Sequence, residues 1–275
     1  MATFFEMIQG RWDSVGARIC VGLDTNPEKI PKGHDVTSFN CGIVSATKDR
    51  TLAYKPNIAF YSGQKHLRDH LLATVAFIRK WAPDVPIILD AKRGDIDNTN
   101  LGYVAEAFDL YGTDAVTVSH YLGSKAMQPF LKQTDKGIIV LCATSNEGAE
   151  EMQDVIVVHE GRQIPYYQYV ANRVRERWNE NGNCALVVGA TYPTRLGVVR
   201  REIGDKMWML NPGIGAQSGS IQDSAKHGRN FNGSGLIFSA SRSIQYASSG
   251  DDFADAAGAE LDRLTDRAFE AFELA

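Results

Sequence analysis

Residues 85–99 read VPIILDAKRGDIDNT. The first half is a short, continuous apolar run with no alternation of polar and apolar residues. A strand with one wet face alternates, and a strand buried on both faces does not, so this run predicts a strand inside a parallel sheet. Seven other runs have the same character: RICVGLD (18–24), TLAYKPN (51–57), DAVTVSH (114–120), GIIVLCA (137–143), ALVVGAT (185–191), MWMLNPG (207–213) and GLIFSAS (235–241). Longer, mostly helical stretches separate them. One is SGQKHLRDHLLATVAFIRKWA (62–82), with Leu67, Leu71, Leu72, Val75 and Ile78 on one stripe. Eight such units predict a closed (β/α)₈ barrel, with residues 1–275 as one catalytic domain. The alternative, an open doubly wound sheet, wants a glycine-rich turn after its first strand, whereas GLDTNPEK stands there.

One segment breaks the repeat. Residues 147–166, EGAEEMQDVIVVHEGRQIPY, fall between the fifth and sixth runs and read as a short hairpin whose turn carries Gly161. The tail 251–273 places Phe253, Ala256, Ala257, Leu261, Leu264, Ala268 and Phe272 at helical spacing, which predicts a last outer helix.

Composition narrows the class. The chain is 44% hydrophobic and 23% charged, as in folded water-soluble domains and unlike disordered or collagenous chains. A net charge of −4 argues against a nucleic-acid binder, which needs a basic face. The longest apolar runs are about seven residues, far short of the ~20 needed for a membrane helix. The amino terminus has no basic start followed by an apolar core, so no signal peptide is expected. Of four cysteines, Cys20, Cys142 and Cys184 lie in apolar runs and Cys41 does not, and no pair is spaced CxxC. They read as reduced thiols of a cytoplasmic protein.

The chemistry is expected where charge stands at strand ends, because these face the mouth of a barrel. The first run ends in Asp24, the second carries Lys55, and the third ends in Asp90, followed by Lys92 and Asp95. Any one of these also reads as a solvated loop charge. Asp90 and Lys92 are two apart in an extended segment, so both are expected on one face. A Lys–Asp–Lys–Asp cluster is either an ion-pair network closing the barrel or a catalytic array. Burying four charges rarely stabilises a fold, which favours the array. NPGIGAQSG (211–219) is a glycine-rich loop after a strand, readable as a tight turn or as an anion cradle. Loops after the seventh and eighth strands form the common phosphate site of barrels, and Arg242 follows the eighth.

Other chemistry falls away. The six histidines, among them His66, His70 and His120, show no metal-ligand spacing and read as surface or capping residues, so no metal site is expected. There is no GxSxG elbow, and Cys142 has no matching His and Asn pattern. The four tryptophans read as packing residues.

At LDAKRGDIDNT (89–99), preceded by AYKPNIAFYSG (53–63), the sequence resembles the orotidine 5′-monophosphate decarboxylase family, in particular its longer bacterial branch. The likeness continues through VGLDTNPEKIP (21–31), DAVTVSHYLG (114–123), CATSNEG (142–148), LVVGATYP (186–193), NPGIGAQ (211–217) and SASRSIQYA (239–247). The resemblance implies a cofactor-free enzyme that converts orotidine 5′-monophosphate to uridine 5′-monophosphate, the last step of de novo pyrimidine biosynthesis. It implies that Asp24 and Lys55 hold the ribose hydroxyls and that Asp90, Lys92 and Asp95 complete the catalytic array. It also implies a homodimer with shared active sites, in which Asp95, Ile96 and Thr99 reach the partner's site. Ser145 would hydrogen-bond the pyrimidine. Gln217, Arg242 and backbone N–H groups near Gly215 would grip the phosphate. His120 and Glu147 stand where the family pattern has proline.

The implied chemistry suits these residues. Loss of CO₂ from C6 leaves a carbanion with no electron sink, and Lys92 is a cation able to stabilise it and then protonate C6. The nearest alternative is a metal-dependent sugar-phosphate decarboxylase or aldolase-type synthase, which would share the DxKxxD strand and the phosphate site. AYKPN, CATSN and the GAQ of the phosphate loop argue against it, and a chelator would separate the two. A non-catalytic phosphate-binding barrel would have no reason to keep Lys55, Asp90, Lys92 and Asp95 together.

Overall fold

All eight apolar runs are strands of one parallel sheet. A computed structural model of the chain describes residues 2–63, 66–214 and 219–274. The strands in chain order are β1 (Ile19–Leu23), β2 (Ala53–Pro56), β3 (Ile88–Arg93), β4 (Ala115–Val118), β5 (Gly137–Ala143), β6 (Ile156–His159), β7 (Arg162–Pro165), β8 (Cys184–Val188), β9 (Met209–Pro212) and β10 (Leu236–Ala240). The large sheet runs β2-β1-β10-β9-β8-β5-β4-β3. Its two ends meet through isolated parallel bridges, Tyr54 to Ile87 and Asn57 to Asp90, so the sheet curls into a barrel with a lightly bonded seam between β2 and β3. The expected (β/α)₈ architecture is what the chain adopts.

The outer layer follows the apolar stripes. In the helix Leu67–Trp81, residues Leu67, Leu71, Val75 and Ile78 are buried and Leu72 packs partly against the core. The tail forms the helix Phe253–Leu274, with Phe253, Ala257, Leu261, Leu264, Ala268 and Phe272 buried. The first helix, Phe4–Val15, starts with a Thr3–Glu6 capping box and lays Phe4 where a Cβ on Gly137 would otherwise sit, under the start of β5. Trp12 closes that end edge-on against Trp208 and Phe272. Trp12, Trp178 and Trp208 are buried, whereas Trp81 is exposed. Cys20, Cys142 and Cys184 are buried free thiols on strands.

The interrupting segment is a four-residue helix, Glu150–Gln153, followed by the β6–β7 hairpin. His159 pairs with Arg162, leaving Glu160 and Gly161 as a two-residue turn, both with positive φ (49° and 75°). That is the mirror-image turn that matches strand twist, with Gly161 at the position glycine suits best. Among the described residues, no helix is long and apolar enough to cross a membrane.

The bottom of the barrel is stitched by one cation. Arg200, buried on the helix Pro193–Ile203, donates to the carbonyls of Gly204 and Met207 (both 2.8 Å), Gly228 (2.7 Å) and Gly235 (2.9 Å). These carbonyls precede or flank β9 and β10. Arg200→Met is expected to leave them without a donor and to lower unfolding free energy by about 3 kcal/mol. Denaturant titration followed by circular dichroism checks this, and a loss below about 1 kcal/mol would mean that water replaces the guanidinium.

Candidate active site

The strand ends converge on a pocket of about 890 Å³. Asp24, Lys55, Asp90, Lys92, Ser145 and Arg242 all line it. Asp24 directly follows β1. Its carboxylate accepts from the Ser241 hydroxyl (2.8 Å), and its backbone N–H donates to Gln245 Oε1 (3.0 Å). Lys55 is buried on β2, with its Nζ 3.1 Å from Asp90 Oδ2 and 3.9 Å from Asp24 Oδ1. Asp90 Oδ1 accepts from Lys92 Nζ (2.7 Å) and from the Thr117 hydroxyl (2.8 Å). One carboxylate thus takes donors from β2, β3 and β4.

Asp90 and Lys92 do meet, but not through regular alternation. Lys92 has φ 48°, left-handed backbone that a lysine rarely adopts. Five residues of β3, Leu89 to Arg93, stand opposite three of β4, Val116 to Val118. Thr117 fills the bulge: its hydroxyl oxygen accepts from the N–H groups of Ala91 (3.0 Å) and Lys92 (2.9 Å) while its proton goes to Asp90. Bulges of this kind re-aim a side chain, here the Lys92 ammonium. Strained backbone of this kind clusters at active sites and switch regions.

Electrostatics follow from the geometry. Burial alone would raise the Asp90 pKa. The Lys55 and Lys92 ammoniums, with the Lys92 and Thr117 hydrogen bonds, outweigh it and hold the carboxyl well below the usual range. Burial alone would lower the Lys55 pKa, and the Asp24 and Asp90 carboxylates outweigh it, so the amine stays charged beyond the ordinary lysine range.

The remaining expectations divide. Asp95, Ile96 and Thr99 do not line this pocket. The Asp95 carboxylate caps its own loop, accepting from the Ile96 N–H (2.7 Å), and Asn100 brackets the Asp95 backbone with two hydrogen bonds (3.0 and 2.6 Å). Ile96 is 59% exposed. Gly215 and Gln217 lie outside the described residues. The ends of their loop are fixed: Gly213 takes φ 102°, and Ile214 bridges to Gly219, where a Cβ would lie 2.7 Å from the Gly213 carbonyl. Glu147 is exposed and does not line the pocket.

His120 corrects the surface-or-cap reading. It lines the pocket, its Nε2 is 3.2 Å from the Tyr166 hydroxyl, and burial lowers its pKa. Thr117, Ser241 and Gln245 were not foreseen. A threonine inside DAVTVSH reads as an ordinary strand former, and only the neighbouring strand reveals its partner.

Comparison with known proteins follows the same lines. Residues 17–256 match the model of the orotidine 5′-phosphate decarboxylase / HUMPS family. The chain is 46% identical over 264 residues to the orotidine 5′-phosphate decarboxylase of Cellvibrio japonicus, covering 94% of each chain. It is 45% identical over 259 residues to that of Ralstonia pickettii, covering 92% of this chain and 93% of the relative. Among solved structures it is similar to Leishmania donovani OMP decarboxylase, with TM-score 0.80, 32% identity, and coverage of 96% of this chain and 98% of that one. It is also similar to Leishmania donovani UMP synthase (TM-score 0.83, 34% identity), covering 96% of this chain but only 57% of that chain.

The ion chain has a pH signature. A carboxyl held low in the fold contributes stability that is complete above its unfolded pKa, about 3.9, and lost as pH falls. An amine held high contributes stability that is complete below its unfolded pKa, about 10.4, and lost as pH rises through the folded value. The unfolding free-energy difference between the wild type and Asp90→Asn is therefore expected to be flat from about pH 6 to 8 and to shrink from about pH 5 to 3. A difference that stays flat to pH 3 would show that the Asp90 carboxyl is not held low.

Proposed function

The chain belongs to the orotidine 5′-phosphate decarboxylase / HUMPS family, and from that premise we propose how its pocket divides the work. The activity is decarboxylation of orotidine 5′-monophosphate to uridine 5′-monophosphate in pyrimidine biosynthesis. The observation that carries the proposal is the Lys55–Asp90–Lys92 chain at the mouth of the barrel, inside a pocket that also holds Asp24, Ser145 and Arg242.

In this reading residues 1–275 act as one catalytic domain. Arg242 and the 211–219 loop, with the Gly215 backbone and the Gln217 side chain, grip the phosphate. Asp24 and Lys55 take the ribose hydroxyls, and Ser145 takes the pyrimidine. The C6 carboxylate then lies against Asp90. Two unit charges ~4 Å apart repel by about 4 kcal/mol at an effective dielectric of 20, and that repulsion ends as neutral CO₂ leaves. The C6–carboxylate bond breaks and leaves its electron pair on C6. Lys92 stabilises the developing charge and donates an Nζ proton to C6, and the resulting amine regains a proton from solvent. Lys55 and Asp90 keep Lys92 oriented. No step calls for a metal or cofactor, and the reading assigns neither nucleic acid nor membrane as partner. The cytoplasm is the compartment where the substrate and the free thiols would both be at home.

Ile96 and Thr99, exposed at the start of the helix Asp97–Val104, support a homodimer in which Asp95, Ile96 and Thr99 complete the partner's site. A two-fold interface makes the loan reciprocal.

Two experiments test this. The pure protein is expected to deplete the absorbance of orotidine 5′-monophosphate, and Lys92→Ala to abolish the activity, by well over the ~10²–10³ typical of losing one electrostatic partner. An alanine variant within tenfold of wild type would mean that another group is the acid. For the shared site, Lys92→Ala and Asp95→Ala, each inactive alone, are mixed under subunit exchange. Heterodimers place both lesions in one site, so up to about half of their activity is expected to return. Confirmed exchange without recovery would place Asp95 in its own subunit's site.

A further inference from the structure

Segment 147–166 leaves the barrel repeat, yet its first turn reaches back to the pocket. Gln153 stands at the end of the Glu150–Gln153 helix and, like its neighbour Met152, lines the pocket. Its carboxamide grips one residue twice. The Thr144 N–H donates to Gln153 Oε1 (2.8 Å), and Gln153 Nε2 donates to the Thr144 hydroxyl (2.7 Å). That hydroxyl passes its own proton to Asn146 Oδ1 (2.6 Å). A two-point grip fixes rotation as well as position, and here it acts on the residue just before Ser145.

The far side of the same loop is fixed by contact. A Cβ on Gly189, just past β8, would lie 2.7 Å from the Ser145 Cβ and 3.0 Å from its Cα and N. The Gly189 N–H also donates to the Ala143 carbonyl (2.7 Å). Residues 144–146 are thus held between Gly189 and Gln153. Gln153 has its own anchor: the next residue, Asp154, pairs with Arg195 at 2.6 Å, and the Arg195 guanidinium lies 4.2 Å over the Tyr192 ring.

We infer that Gln153 is a positioning residue for the decarboxylation: its carboxamide sets Thr144, and through it sets Ser145 against the pyrimidine. This rests on the reading of Ser145 as the contact to the base. It gives the inserted segment a role in recognising the nucleobase, independent of phosphate and ribose. Misplacing a substrate contact by about 1 Å is enough to cost ~10²-fold in rate.

The test compares Gln153→Met, which keeps length and volume but loses both hydrogen bonds, with Ser145→Ala and the double variant. Affinity is measured by calorimetry for uridine 5′-monophosphate and for ribose 5-phosphate, which lacks the base, and kcat/KM is measured with orotidine 5′-monophosphate. Gln153→Met is expected to weaken the nucleotide about tenfold or more while leaving ribose 5-phosphate within about twofold. In the Ser145→Ala background the Gln153→Met penalty is expected to vanish, to within about twofold, as for residues acting through one contact. Equal weakening of both ligands overturns the inference. So does a full multiplicative loss in the Ser145→Ala background, which leaves the role of Ser145 standing. If Ser145→Ala itself leaves nucleotide affinity unchanged, the base-contact reading and this inference both fall. Should Gln153→Met not fold, Thr144→Val removes the hydroxyl half of the grip and is read by the same cycle.

Discussion

A carboxylate taken out of water between two ammonium groups is the constraint around which the mouth of this barrel is organised. Asp90 is ionised in a buried place because Lys55 and Lys92 each donate to one of its oxygens and Thr117 adds a third bond. Such pairs seldom stabilise a fold beyond what apolar residues would achieve. Their use lies in holding a cation with fixed direction and charge. The backbone yields to this: the Lys92 φ of 48° and the β3 bulge are conformational costs met by Thr117, whose hydroxyl serves both bulged N–H groups.

The architecture makes the rest compatible with that centre. Parallel strands end together, so residues far apart in the chain arrive at one rim. Asp24 and Ser241, 217 positions apart, share a hydrogen bond because β1 and β10 are neighbours. Glycines stand where two rim loops touch. Gly22 leaves room for Ser241, and Gly189 for Ser145, at distances a Cβ would not permit. The outer helices supply the apolar burial that holds this shell closed.

The barrel was legible because period and burial agree. Eight unalternating runs are eight parallel strands, and the break at 147–166 is the hairpin, with Gly161 in its turn. Lys55 and Asp90 stood out as charges against apolar sequence. The Asp90–Lys92 contact was also expected, but from strand alternation, whereas a left-handed residue produces it. Thr117 and Gln153 were not legible, since their partners come from another strand or an insertion and their residue types are common in such settings. His120 reads as a surface group from histidine spacing alone, and its partner Tyr166, 46 positions away, is legible only in the fold. Charge at strand ends puts Asp95 with the array as well, but within one chain its carboxylate turns to the Ile96 N–H and does not line the pocket.

The barrel's seam carries a last consequence. Every other neighbouring strand pair is joined by a ladder, but β2 and β3 meet through two isolated bridges, one of them at Asp90 itself. The Lys55–Asp90 ion pair crosses that same gap. The hoop is therefore fastened by groups that line the pocket. Drift at either residue would disturb the ion pair and the closure of the barrel together.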